Sequence, residues 1–259
     1  MLHRPDHAII RAPRREKHWG NMSILWGLLV LTTIIFLHEL GHFLAAKALG
    51  VPAPLFSVGL GPVVLRANWA GTEYRLSAIP FGGYVLFGRG EKLDATTAGE
   101  RIIIYLAGPL ANFLTALAIF GGDIPLFLGQ SKGVLDALAM LFTGQAGFDQ
   151  LLGPIGLMDV AGNQAAAGWT QLLGFTALLS INLGILNLLP LPVLDGGQIL
   201  IALIEGVSRK RIHMNVRIAM ALVCWALLIL LMVQATIGDV ARMNRPQPAA
   251  MTPVDWAAG

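Results

Sequence analysis

Four long apolar runs punctuate the chain at residues 24–46, 102–120, 169–189 and 216–237. The first, ILWGLLVLTTIIFLHELGHFLAA, would rise roughly 34 Å as a helix at ~1.5 Å per residue, enough to cross a hydrocarbon core. Each of the other three is close to the length that a spanning helix needs. The pattern therefore predicts a polytopic α-helical membrane protein with about four transmembrane helices.

Between the first two runs the period changes. VVLRANWAGTEYRLSAI alternates around a turn at Asn68–Gly71, and FGGYVLF follows Pro80, which together predict two or three short strands within 55–87. A small apolar sheet directly after a spanning helix belongs at or in the interface, either as a hairpin that caps the bundle or as an edge that pairs with an extended peptide. Residues 88–100 read as a polar linker. The stretch 121–168 is semi-apolar and glycine-rich, and predicts amphipathic or re-entrant pieces at the surface. The third run is broken by LPLPVLDGG at 189–197, where Pro190 and Pro192 remove donors and block a helix; a short helix then resumes to about residue 206. Irregular backbone at membrane depth is tolerated only inside protein or along a water-filled cavity, so this break faces the interior.

Composition agrees with the pattern: 55% of the 259 residues are hydrophobic and 13% charged. One cysteine, Cys224, excludes an intrachain disulfide framework and a cysteine-rich zinc site. The net charge of +3 comes from basic residues placed between apolar runs, which suits the headgroups of a lipid bilayer and no nucleic acid. Residues 1–22 hold five basic side chains and no apolar stretch; they are a basic tail, or else Met22 is the true start. Residues 23–259 then form one membrane-embedded domain.

The chemistry sits in the first run. His38, Glu39 and His42 are costly at membrane depth, and ionisable groups there are functional by default. One helical turn separates the two histidines, so both imidazoles can converge on a metal with Glu39 beside it, the zinc-hydrolase spacing HExxH. Asp195 is the only acid between Asp159 and Glu205 and is the natural third ligand, leaving a position open for water. In the second run, Gly108 and Pro109 weaken the helical ladder and permit close backbone approach, while Asn112 places an amide in the apolar zone as packing glue or as a donor to a substrate carbonyl.

HELGH at 38–42, GPLAN at 108–112 and NLLPLPVLDGG at 187–197, in that order on separate apolar segments, resemble the site-2 protease family of intramembrane zinc metalloproteases. FGGYV and SINLGILNLLPLPVLDGG are most similar to the bacterial regulator-of-sigma-E protease group. The resemblance covers about residues 22–240. It implies one zinc ion held by His38, His42 and Asp195, with Glu39 as general base. It also implies that the sheet at 55–87 is the family's membrane-associated β element, and that Asn112, Asn182, Asn187, Pro190 and Pro192 lie near the substrate cleft. The expected substrate is a single-span membrane protein or a signal peptide, and the expected location is the bacterial inner membrane.

One departure stands out. That group carries one or two PDZ domains between the second and third core helices, each of roughly eighty to a hundred residues. Only about 48 residues lie between Gly121 and Gly168 here, so the PDZ part is expected to be absent, although GPIGLMDVAG resembles the segment that follows it. With four spans, one face of the membrane holds ten Lys and Arg residues and the other eight, or three if Met22 is the start. The positive-inside rule then places the 47–101 loop and the metal motif toward the cytoplasm. The rival reading is a membrane metal-binding or transport protein, or a silent scaffold, with the same ligands; a transporter would string polar groups across the membrane, and this chain gathers them at one level.

Overall fold

The computed structural model describes residues 21–87, 96–147 and 151–244. The basic N-terminal tail, most of the 88–100 linker and the proline-bearing C-terminal tail lie outside them, Asn21 and Met22 excepted. In chain order the elements are α1 (Asn21–Ala48), β1 (Leu55–Trp69), β2 (Thr72–Leu86), α2 (Ala98–Ile119), α3 (Ile124–Phe142), α4 (Pro154–Ala167), α5 (Trp169–Asn187), α6 (Asp195–Ser208) and α7 (Met214–Asn244). Apolar side chains cover most of the outside of this bundle, as a lipid-facing surface requires.

Among the described residues, five helices are long and apolar enough to cross a membrane: α1, α2, α3, α5 and α7. Four of them are the expected runs. The fifth, α3, falls where surface pieces were expected, because Lys132 and Asp136 interrupt its hydropathy; they pair with each other at 2.6 Å on an exposed face. α2 begins at a capping box in which Thr97 and Glu100 exchange hydrogen bonds, so its start is fixed by sequence. Pro109 lies inside α2 without ending it.

The sheet has two strands, within the expected two or three, but they are long and bent rather than short. Along Leu55–Val58 the partners fall from Leu86 to Gly83 on one side and rise from Glu73 to Leu76 on the other, while residues 63–69 pair with 72–77 beyond the bend. Gly59 and Gly82, at φ +83° and +101°, supply the backbone conformations that these bends demand. The sheet is thus a small folded platform with 83–86 along one edge and 63–69 along the other. Its base packs on α1, where Phe43 and Phe56 meet edge to face at 5.2 Å and Tyr74 closes the cluster. Its far half exposes Val64, Leu65 and Trp69.

Side-chain ties identify the two ends of the bundle. At one end Asp239 of α7, fully buried, accepts from the N–H groups of Gly153 and Gly156 at 3.1 and 2.8 Å, and Gly162 of α4 packs on Ser23 of α1. At the other end Arg101 opens α2 and donates to Glu205 near the close of α6, while Arg217 near the start of α7 donates to Gln198.

A candidate metal centre between α1, α2 and the proline break

His38 and His42 are one turn apart on α1 and both are buried. A single face of α2 holds them, with Ile104, Gly108 and Asn112 recurring every fourth residue along it. His42 Nδ1 lies 2.7 Å from the Ile104 carbonyl oxygen. That acceptor keeps the proton on Nδ1 and leaves Nε2 as a lone pair aimed away from the helix pair. His38 Nδ1 lies 3.1 Å from the Asn112 side-chain amide, in a site where Asn112 is wholly buried.

Gly108 sits between these two anchors because nothing larger fits. A methyl group there would run into the His42 ring and stand 2.8 Å from His38 Cε1. Gly41 does the reciprocal service on α1, where a side chain would strike the Ala107 carbonyl and stand 2.8 Å from Ala111 Cβ. The close approach read from GPLAN is therefore an approach of imidazoles to the α2 backbone as well as of helix to helix.

Asp195 arrives from the third segment. The break after α5 returns the chain so that Asp195 starts α6, and Gly196 and Gly197 are buried against the carbonyl groups of Leu188 and Leu191. Gln198 secures the loop by donating to the Pro192 carbonyl at 2.5 Å while accepting from Arg217 at 3.1 Å. Asp195 Oδ2 then stands 3.1 Å from His38 Nε2 and 3.3 Å from His42 Nε2, and the two Nε2 atoms are 3.2 Å apart.

This near-equilateral triangle fits a zinc ion. Donors that bind one ion at ~2.0–2.2 Å with tetrahedral angles stand about 3.3 Å or slightly more from each other. The hydrogen-bond account agrees, since Asp195 Oδ2 is buried with no donor directed at it despite its close neighbours. Asn112 supplies a second sign. Its Oδ1 is buried without a partner while its NH2 group faces His38 Nδ1. Turning the amide by 180° lets Oδ1 accept from His38 Nδ1–H and frees Nε2 to bind metal, matching the arrangement at His42. His38, His42 and Asp195 are the group of donors among the described residues that converges in this way.

The remaining expected residues are spread around this point. Glu39 is half-buried beside the sheet: a Cβ on Gly83 would stand 3.1 Å from Glu39 Cγ. Asn182 lies half-buried on α5, Asn187 ends that helix, and Pro190 and Pro192 lie in the break, Pro190 exposed. Asn112 lines no open cleft; it touches a ligand, and its own carbonyl accepts from Ser180 Oγ of α5 at 2.9 Å. Sequence reasoning missed the Ile104 carbonyl, which carries no residue signature, and Gln198, whose role exists only once the break has folded back.

Relatives point the same way. The model of Peptidase family M50 matches residues 26–231. A Clostridium perfringens protein whose name places it with the zinc metalloproteases is 27% identical, with 85% of this chain and 98% of the relative covered. A similarly named Campylobacter jejuni protein is 26% identical over 86% of this chain and 94% of its own length. The zinc metalloprotease RasP of Shouchella clausii is 35% identical over 52% of this chain and 32% of its own. Spanning helices, a His-His-Asp triad fit for one zinc ion and these bacterial relatives together make this a multi-pass bacterial membrane protein acting on membrane-embedded proteins. The chain belongs to peptidase family M50 and is an intramembrane zinc metalloprotease of the site-2 type.

Proposed function

We propose that His38, His42 and Asp195 are the zinc ligands, that Glu39 is the general base, and that the cut falls in an unwound segment of a single-span membrane protein or a signal peptide. The observation that carries the reading is the triangle of two Nε2 atoms and one carboxylate oxygen beside Glu39 and a sheet edge. Zinc, when bound, polarises a scissile carbonyl and makes water nucleophilic near neutral pH. Glu39 takes the proton of the attacking water and delivers it to the leaving amine nitrogen.

A helical substrate ties up its own backbone, so a carbonyl reaches this point only after unwinding. The 83–86 edge supports a way to hold the unwound stretch, because its inner side is engaged with Leu55–Val58, its outer side pairs with no other described strand, and Gly83 on it lies against Glu39. Strand addition there replaces the hydrogen bonds lost from the helix. Asn182, Asn187, Pro190 and Pro192 form the opposite wall in this reading, whereas Asn112 acts through His38.

We further infer that residues 23–259 work as one domain without a PDZ module, with the metal centre toward the cytoplasm. In support, about a third of the 330 positions matched to the Clostridium relative have no counterpart in this chain. The 121–168 stretch is occupied instead by α3 and α4. α3 stays on the extracytoplasmic side: Gln145 and Ala146 still bond to the Met140 carbonyl, and Gly153 is tied to Asp239. The seven intervening residue steps reach at most about 24 Å, short of the ~30 Å hydrocarbon core.

The test is cleavage of tagged single-span proteins, with and without their extracytoplasmic domains, by purified protein in liposomes. Cutting of both forms is expected, since the size filter attributed to PDZ domains is missing. Cutting of trimmed forms alone would assign the filter to α3 and α4, and no cutting of either by zinc-loaded protein would contradict the substrate class.

A further inference from the structure

Away from the metal centre, a cavity of about 190 Å³ opens between the first turn of α2, the last turn of α6 and the loop before α7. Among the described residues, Arg101, Arg209, Lys210 and Arg211 line it together with one acid, Glu205. That acid is already committed: Oε2 accepts from Arg101 at 2.6 Å and Oε1 from the Ile212 N–H at 2.9 Å. Its single charge leaves the cavity strongly cationic, and Arg101 Nε is buried there without a hydrogen-bond partner. Arg209 holds a left-handed conformation at φ +53°, which turns the chain so that the basic loop folds back over the cavity.

The surroundings identify the ligand class. Two spanning helices, α2 and α7, both begin here, so the cavity sits at the membrane surface. α6 is too short to span, yet it exposes Leu200, Leu203, Ile204 and Val207, one apolar stripe at helical spacing that runs up to the basic loop. The opposite face of α6, with Ile201, Ala202 and Glu205, is buried. An apolar stripe long enough for an acyl chain, ending at a cationic cavity, is suited to a phospholipid and not to a soluble anion.

We propose that this cavity binds the phosphate of an anionic phospholipid whose acyl chain lies along the exposed face of α6. Arg101, Arg209 and Lys210 hold the headgroup. Because Asp195 opens the same helix that Glu205 and this cavity close, the bound lipid seats α6 against α2.

The test titrates the purified full chain, in a zwitterionic detergent, with dioleoylphosphatidylglycerol or dioleoylphosphatidylcholine, and reads retained lipid by native mass spectrometry. Phosphatidylglycerol is expected to bind one per chain and phosphatidylcholine far more weakly. The double variant Arg209→Asn/Lys210→Gln, in which Asn suits the left-handed position, should bind about 30-fold more weakly, at the strength expected of two basic groups near a membrane surface. Val207→Gln, which leaves every charge in place, should also weaken binding. Lys132→Gln on α3 should leave it unchanged. Equal retention of both lipids, wild-type affinity in the double variant, or displacement by excess inorganic phosphate in all chains would overturn the proposal, the last by reassigning the cavity to a soluble anion. An unchanged zinc content in each variant shows that loss of lipid does not reflect loss of fold.

Discussion

The two sides of Glu39 are built on opposite plans. On the α2 side every gap is closed: Gly41 and Gly108 bring the helices together, and each histidine is fixed by a partner on α2. On the sheet side an edge strand passes Glu39 with backbone groups available for pairing. A metal site needs ligands held within fractions of an ångström, and a protease for membrane segments needs a place where a chain of arbitrary sequence can lie extended. The contrast assigns the first task to α2 and the second to the sheet. Changes on the first side should therefore act through zinc, and changes on the second should act at constant zinc.

The largest effect is expected at the third ligand. Asp195→Ala should remove stoichiometric zinc, read by metal analysis of the purified protein, and hydrolysis with it. Next comes the wall behind the imidazoles. Gly108→Val should displace both rings, losing zinc and destabilising the bundle by about 1–3 kcal/mol, the usual cost of overpacking. A Gly108→Val protein with full zinc and a normal melting temperature would break the comparison on the α2 side.

Asn112 sharpens it further. Asn112→Leu should weaken zinc about 10–100-fold in a chelator competition, the range for loss of a group that orients a ligand. Asn112→Asp, which keeps an acceptor for His38 Nδ1–H, should lose less. If Asn112 served substrate alone, both variants would hold zinc as the wild type does. The sheet side predicts the complementary result. Val85→Pro should slow cleavage about tenfold with zinc unchanged, by disrupting the 83–86 edge strand beside Glu39. Val64→Pro, on the other edge, should change little. Equal rates for both would take the 83–86 edge out of the mechanism. The smallest effect is expected far from either side, where breaking the exposed Lys132–Asp136 pair with Lys132→Gln should shift stability by only ~0.3–0.5 kcal/mol in thermal unfolding.

The difference between the two sides also explains what could be read from the chain. HELGH, GPLAN and LPLPVLDGG were legible because they join rare chemistry to membrane depth, where an ionisable group or a broken helix demands a reason. The four spans were legible for the same reason; α3 was harder to read, because Lys132 and Asp136 lower the hydropathy of a helix that is still long and apolar enough to cross a membrane. The sheet was legible as alternation, but its two long bent strands were not, since Gly59 and Gly82 report a bend without its direction. The anchor of His42 was invisible in sequence, because any residue at 104 would offer the same carbonyl. Asn112 was visible as a buried amide, yet its partner depended on how α1 and α2 cross.

The most direct test compares wild type and Glu39→Gln, both purified in liposomes, for zinc per chain and for cleavage of one tagged single-span substrate. The account predicts one zinc in each, with cleavage in the variant lowered at least ~10²–10⁴-fold, the contribution of a positioned acid–base group. Zinc-loaded Glu39→Gln that cleaves at the wild-type rate would contradict the assignment of Glu39, and with it the reading of the sheet edge as the place where substrate lies.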